Sequence, residues 1–238
     1  MKSPLIPLFQ GGELNGYLWK EVNRKFMSHK PILTAPSINE FSNIKRYWDK
    51  EFDLVCAKIL PGEYYVTTDN EGITTVLGSC ISACIRDKET GVGGMNHFML
   101  PETNEHKLNA GLESVVGNAT RYGNYAMEHL INMILAHGGK RKNLEVKLFG
   151  GGKIIPTLGD VGQKNINFSL EYIDTEALKL VSKDLGDIYP RKVIYFPKTG
   201  KVRMKKIKDL HNETIASREK QYRSSIKDIE VVSDVELF

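Results

Sequence analysis

Cys80 closes the segment Thr74-Thr-Val-Leu-Gly-Ser-Cys80, and His97 follows inside Gly93-Gly-Met-Asn-His97-Phe-Met-Leu-Pro101. A cysteine after a Gly-Ser turn, with a histidine in folding reach, is the minimum for a thiolate nucleophile. A free thiol titrates near ~8.5, so little of it reacts at neutral pH unless a base or positive charge lies beside it. Function at this segment therefore turns on whether the two side chains meet. If they do, Cys80 is expected to ionise below an ordinary thiol and to be alkylated faster than Cys56 and Cys84. Backbone N–H groups from Gly78 to Cys80, with Gly78 and Ser79 the candidates, would form an oxyanion hole, because glycine lets the backbone turn inward. A third group usually orients the histidine, and Thr74 and Thr75 offer hydroxyls and carbonyls for it.

The same residues have plain structural readings. Cys80 and Cys84 can be small buried hydrophobes, His97 a satisfied core histidine, and both threonines ordinary strand residues. A zinc site is the weaker idea. Cys80 and Cys84 are separated by three residues rather than the two usual in zinc knuckles, and His97 or His106 would complete a site only by accident of folding. No metal or other cofactor is expected.

Periodicity and turn chemistry locate the elements that must position the pair. Leu54–Leu60 and Tyr64–Thr68 are predicted strands separated by Pro61-Gly62, a strong turn signal. Ile81–Arg86 and Val92–Leu100 are predicted to form one hairpin. A loop from Asp87 to Thr90 would pair Arg86 with Gly91, and the same register sets Cys80 directly opposite His97, with Cβ atoms ~4.5–5.5 Å apart. A register slip, or a bulge at Gly93-Gly94, would change which residues meet. Tyr122, Ala126, Leu130, Ile131, Ile134 and Leu135 form a helical stripe, ended by Gly138-Gly139 with His137 in the last turn. Leu144–Phe149 is a strand running into Gly150-Gly-Gly152. A helix starts near Asp160 or Gly162 and extends to about Thr175. Leu178–Ser182, Lys192–Phe196 and Lys201–Ile207 are strands, and a short helix is expected around Phe41 to Trp48. Hairpins mixed with helices indicate an α+β fold.

A chain of 238 residues with 41% hydrophobic and 26% charged side chains can bury one sizeable core. Its net charge of +4, from 33 basic and 29 acidic residues, does not call for nucleic acid. The basic run Lys198–Lys208 alternates charged with apolar residues, as a strand with one solvated face does. No apolar run approaches the ~20 residues of a membrane span, and Met1–Phe9 makes a poor signal peptide. The three cysteines are few and odd in number, which argues against a disulfide framework and for a reducing compartment, the cytoplasm. Residues 1–50 read as an N-terminal extension of unknown role, 51–210 as the core domain, and 211–238 as a charged tail, either helical or a loosely attached arm.

Pro61-Gly-Glu-Tyr-Tyr-Val-Thr67, Thr74-x-x-Leu-Gly-Ser-Cys80 and Gly93-Gly-Met-Asn-His97-Phe-Met-Leu-Pro101 together resemble the chemoreceptor glutamine deamidase family CheD. The resemblance continues through Lys147-Leu-Phe-Gly-Gly151, Val161-Gly-x-x-Asn165, Asp184-Leu-Gly186, Arg191-Lys-Val193 and Thr199-Gly200. Two positions depart from it: Asp187, where a second glycine is usual, and Lys153, where a small residue is usual. The resemblance implies Cys80 as nucleophile, His97 as general base and acid, and Thr74 as the residue that orients the histidine. It implies a layered α/β sandwich with a mixed, largely antiparallel sheet flanked by helices, related to deamidase-type cysteine hydrolases. The implied activity is cofactor-free hydrolysis of glutamine side-chain amides on the helical cytoplasmic domain of chemoreceptors, giving glutamate and tuning chemotaxis adaptation. The same residues could cleave a glutamate methyl ester. The resemblance also implies a CheC-type phosphatase as partner, so a mainly non-catalytic adaptor is the alternative; neither nucleic acid nor membrane insertion is implied.

Overall fold

The computed structural model describes residues 33–101, 112–154, 160–208 and 213–226. Most of the expected N-terminal extension, His106, and both ends of the expected tail lie outside the described residues. Among the described residues, ten strands form two five-stranded sheets. The first has the order β1 (Lys45–Asp49), β2 (Leu54–Lys58), β4 (Gly72–Leu77), β9 (Arg191–Phe196), β10 (Lys201–Lys206). The second has the order β3 (Tyr64–Thr67), β6 (Gly93–Asn96), β5 (Ile81–Asp87), β7 (Leu144–Gly150), β8 (Lys179–Leu185). The pairings are antiparallel except β2 with β4 and β7 with β8. Helices α1 (Leu112–Ala136) and α2 (Val161–Thr175) pack on the second sheet, and α3 (Glu213–Ile226) follows β10. This is the expected α+β class, with the strands divided between two sheets. Among the described residues no helix is long and apolar enough to cross a membrane.

The core explains which segments become which element. Ile81, Ala83, Cys84 and Ile85 of β5 are all fully buried, so this strand reads as an almost continuous apolar run. They share one hydrophobic cluster with Ile73 and Leu77 of β4, Tyr195 of β9, and the α1 stripe of Met127, Leu130, Ile131 and Ile134. Each large side chain buried this way contributes roughly 1.5–3 kcal/mol. At the edge, β10 alternates exposed Lys201, Arg203 and Lys205 with half-buried Val202 and Met204, the one-sided strand expected from its charge pattern. The short helix expected around Phe41 to Trp48 does not form. A 3-10 turn over Asn39–Phe41 leads into β1, where Tyr47 and Trp48, both good strand formers, pair with Cys56 and Val55.

The β5–β6 hairpin forms with a different register. Cys84 pairs with Met95 and Arg86 with Gly93, and a bridge joins Ile81 to Phe98. Asp87 N–H donates to Val92 O, so the loop is Lys88–Gly91 rather than Asp87–Thr90. Gly91 is drawn into the loop because the turn needs its φ of +76°. Each residue thus faces a partner two positions further along than expected. An even slip keeps every side chain on its face, so Cys80 and His97 become diagonal neighbours instead of direct ones.

The glycine run after β7 holds the Cys80 turn. Gly151 N–H donates to Cys80 O at 2.8 Å and Gly152 N–H to Gly78 O at 2.7 Å. A Cβ on Gly150, whose φ is +120°, would stand 2.1 Å from Cys80 O. Gly150→Ala is therefore expected to lower stability by about 1–3 kcal/mol, read as a drop in the urea midpoint; an unchanged midpoint would contradict this account of the run.

Candidate active site

The chain passes from β4 of the first sheet to β5 of the second through bends at Gly78-Ser79-Cys80, and the second sheet and α2 fix this turn. Asn165 of α2, fully buried, donates from Nδ2 to Ser79 O at 2.8 Å and accepts Leu100 N–H on Oδ1 at 2.9 Å. One amide side chain thereby ties the Cys80 turn to the chain leaving His97. Its helix approaches closely because Gly162 packs where a Cβ would come 2.5 Å from Gly151 O. Two of the sequence motifs, Val161-Gly-x-x-Asn165 and the glycine run, are thus supports of the Cys80 turn.

His97 sits just past β6, its backbone N–H donating to Glu63 O at 2.9 Å and its carbonyl accepting Gly62 N–H at 2.7 Å. Its Nδ1 lies 2.7 Å from Thr75 Oγ1, which is also 2.9 Å from Ile59 O. A carbonyl oxygen cannot donate, so the Thr75 hydroxyl proton goes to Ile59. The contact with His97 is then Nδ1–H donating to Oγ1. The other ring nitrogen, Nε2, is left with its lone pair bare, and it is a buried atom with no hydrogen-bond partner. Cys80 Sγ, a His97 ring nitrogen and a Glu219 carboxylate oxygen all lie within 4.8 Å of one another. The structure brings Cys80 and His97 together as expected.

Thr74 is placed elsewhere. Successive strand residues face opposite ways, and the Thr74 hydroxyl donates to Val193 O of β9 at 3.0 Å. The threonine that meets His97 is Thr75, which corrects the expectation drawn from the resemblance. The two readings of the Thr-Thr pair differ by one residue, and only the fold says which hydroxyl points inward.

The N–H groups of Gly78 and Ser79 do converge, as an oxyanion hole requires, and Cys80 N–H joins them. Their target is a side chain that sequence reading missed. Glu219 of α3 accepts Gly78 N–H at 2.9 Å on one oxygen, and Ser79 N–H at 2.9 Å and Ser79 Oγ–H at 2.6 Å on the other. Cys80 N–H adds a longer bond of 3.3 Å. The carboxylate is buried, and so are Cys80, His97 and Thr75. No motif in the charged tail marks Glu219; the available signal is its place between Ile215, Tyr222 and Ile226 on one helical face. Cys80, His97 and Glu219 are donor types that a zinc ion takes, but here the carboxylate oxygens already accept from the turn's own N–H and O–H groups.

Electrostatics keep the Cys80 thiol and the His97 imidazole neutral in the closed site. Burial pushes the Cys80 thiol well above its usual range, and the charge and hydrogen bond of Glu219 push it further. The expected low-pKa thiol is therefore not the state described, because the thiol is buried and a carboxylate stands beside it. Burial also depresses His97, to about 3.

A buried cysteine, an imidazole whose Nε2 has no partner and a nest of peptide N–H groups lie together on an α+β frame, the set of groups that thiol-dependent hydrolysis calls for. Sequence comparison narrows the class. The family model described as CheD chemotactic sensory transduction matches residues 99–206. A protein of Halorhodospira halophila named "Probable chemoreceptor glutamine deamidase CheD" is 53% identical over 198 residues, 83% of this chain and 91% of its own. Proteins with the same name from Hahella chejuensis (48% over 209 residues, 88% of this chain and 97% of its own) and Methylobacillus flagellatus (52% over 206 residues, 86% and 100%) match comparably. The chain belongs to the CheD family.

In the unfolded chain His97 binds a proton below its ordinary value of 6.5, whereas the buried native ring does not until about pH 3. The unfolded state holds the extra proton across that window, so stability falls as pH drops through it, by up to ~1.4 kcal/mol per pH unit. His97→Gln is expected to flatten the dependence of the urea midpoint on pH between about 6 and 5; an unchanged slope would show that His97 is not buried neutral.

Proposed function

We propose that this protein hydrolyses the side-chain amides of chemoreceptor glutamines to glutamate, with Cys80 as nucleophile, His97 as general base and acid, and Thr75 as the residue that orients the imidazole. The observation that carries this reading is the gathering of Cys80, a His97 ring nitrogen and the Gly78–Cys80 amides around one carboxylate, the group that glutamine deamidation produces. The relatives' names supply the substrate.

His97 Nε2 takes the Cys80 proton, and Sγ attacks the amide carbon of the glutamine side chain. The N–H groups of Gly78, Ser79 and Cys80 hold the oxyanion, each such donor contributing on the order of 3 kcal/mol to the barrier reduction. His97, charged at this point, keeps its Nδ1–H on Thr75 Oγ1 and gives the Nε2 proton to the departing ammonia, leaving a thioester. Water, deprotonated by the same nitrogen, then releases glutamate and the thiol. The same acyl intermediate would serve a glutamate methyl ester. New negative charge on a helical bundle can shift the receptor's signalling equilibrium. In the same reading the compartment is the cytoplasm, supported by three free cysteines, and a CheC-type phosphatase is a partner, supported by the family resemblance.

The test is peptide mass spectrometry of a receptor cytoplasmic domain incubated with wild type and variants. Cys80→Ala should convert no glutamine, and Thr75→Val should slow conversion roughly ten- to a hundredfold, the scale of losing an orienting hydrogen bond. Thr74→Val should stay near wild type per folded molecule. Equal conversion by wild type and Cys80→Ala would sink the mechanism.

A further inference from the structure

We propose that α3 occupies the seat of the substrate helix, with Glu219 standing as a built-in copy of the product glutamate, so that a receptor helix must displace α3 to reach Cys80. This rests on the deamidase reading above and adds to it how the substrate docks and what keeps the site shut.

Three observations carry it. First, Glu219 occupies the oxyanion nest itself. Its carboxylate takes the Gly78 and Ser79 N–H groups, and Gly78 is open to it because a Cβ there would stand 2.8 Å from one carboxylate oxygen. Second, the helix closes the site: the thiol of Cys80 is fully buried with Glu219 against it, so no external amide reaches Sγ while α3 is seated. Third, α3 is a helix suited to leaving. Of its described side chains only Glu219 and Ile226 are buried. Further contacts come from Ile215, which lines a small cavity with Pro61 and His97, from Tyr222, which lies against Gly62 and shares a hydrogen bond with Tyr122, and from the half-buried Arg223. Beyond the Glu219 carboxylate, whose place a substrate side chain would take, the helix fully buries only Ile226 among its described apolar side chains, a small area to give up.

The contact face of α3 also describes the partner. Ile215, Tyr222 and Ile226 stand four residues before, three after and seven after Glu219. The seat thus fits a helix that presents a glutamine between apolar or aromatic residues at those same offsets.

The chain supplies its own probe. In Glu219→Gln the new side-chain amide would lie where a substrate amide lies. Sγ of Cys80 bonds to the side-chain carbon, the C–N bond breaks, and ammonia leaves with the proton from His97. Water then cleaves the thioester, restoring the thiol and leaving Glu219. In sum, amide plus water gives carboxylate plus ammonium. Purified full-length Glu219→Gln, folded by circular dichroism, is expected to show the mass gain of an amide-to-acid conversion at position 219. The rate should be independent of protein concentration, and Cys80→Ala/Glu219→Gln should not convert. Glu219→Ala is expected to deamidate the receptor domain roughly tenfold faster than wild type, an ordinary size for coupling between two sites, and to expose Cys80 to faster alkylation. Survival of the amide at position 219 in a Glu219→Gln protein that does deamidate the receptor would overturn the placement of α3. Survival of both that amide and the receptor glutamines would overturn the deamidase reading, and this inference with it.

Discussion

Three consecutive peptide N–H groups, at Gly78, Ser79 and Cys80, point at one buried spot, and much of the surrounding structure exists to hold them there and give them an anion. Each such donor left unpaired away from water would cost about 1–3 kcal/mol. The turn that aims them is held by its carbonyls: Gly78 O and Cys80 O accept from Gly152 and Gly151, and Ser79 O accepts from Asn165. Those bonds in turn need the glycine run after β7 and the close approach of α2. The elements that look far from the chemistry are the ones that fix the direction of the amides.

The second constraint is the hydrogen bond from His97 to Thr75, which joins the first sheet to the chain leaving the second. It sets the ring's tautomer and leaves the buried Nε2 without a partner. With Glu219 in place this apparatus is idle. A thiolate formed within 4.8 Å of that carboxylate would cost on the order of 3 kcal/mol at an effective dielectric constant of about 20. Burial opposes both charges of a thiolate–imidazolium pair. Removing the carboxylate and admitting a neutral amide relieves the first of these penalties, so the geometry favours chemistry only when the anion seat is offered to substrate.

Much of this was legible in the sequence because it is local. The one-sided β10 and the buried stripe of α1 follow from periodicity, and the Cys80–His97 pairing follows from hairpin counting, which survived a register error because the slip was even. Three things were not legible. Tyr47 and Trp48 join a strand because β2 offers a partner, a tertiary fact. Thr75 rather than Thr74 faces His97 because of how β4 is rolled in its sheet, and residue type is silent about that. Glu219 shares a helical face with Ile215, Tyr222 and Ile226, but its partner is hidden because it meets the Cys80 turn 140 residues away in sequence, on a helix whose composition reads as solvated. The departure at Asp187 does have a local account: its φ of +70° is the conformation a glycine would take there, and an aspartate tolerates it.

The central claim is covalent acyl transfer through Cys80, and interception of the thioester tests it most directly. With hydroxylamine present during turnover of the receptor domain, peptide mass spectrometry should find glutamyl hydroxamate at the positions otherwise converted to glutamate, formed by wild type and absent with Cys80→Ala. Glutamate appearing at those positions with no hydroxamate under any hydroxylamine concentration would mean that water attacks the amide directly, and would contradict the account.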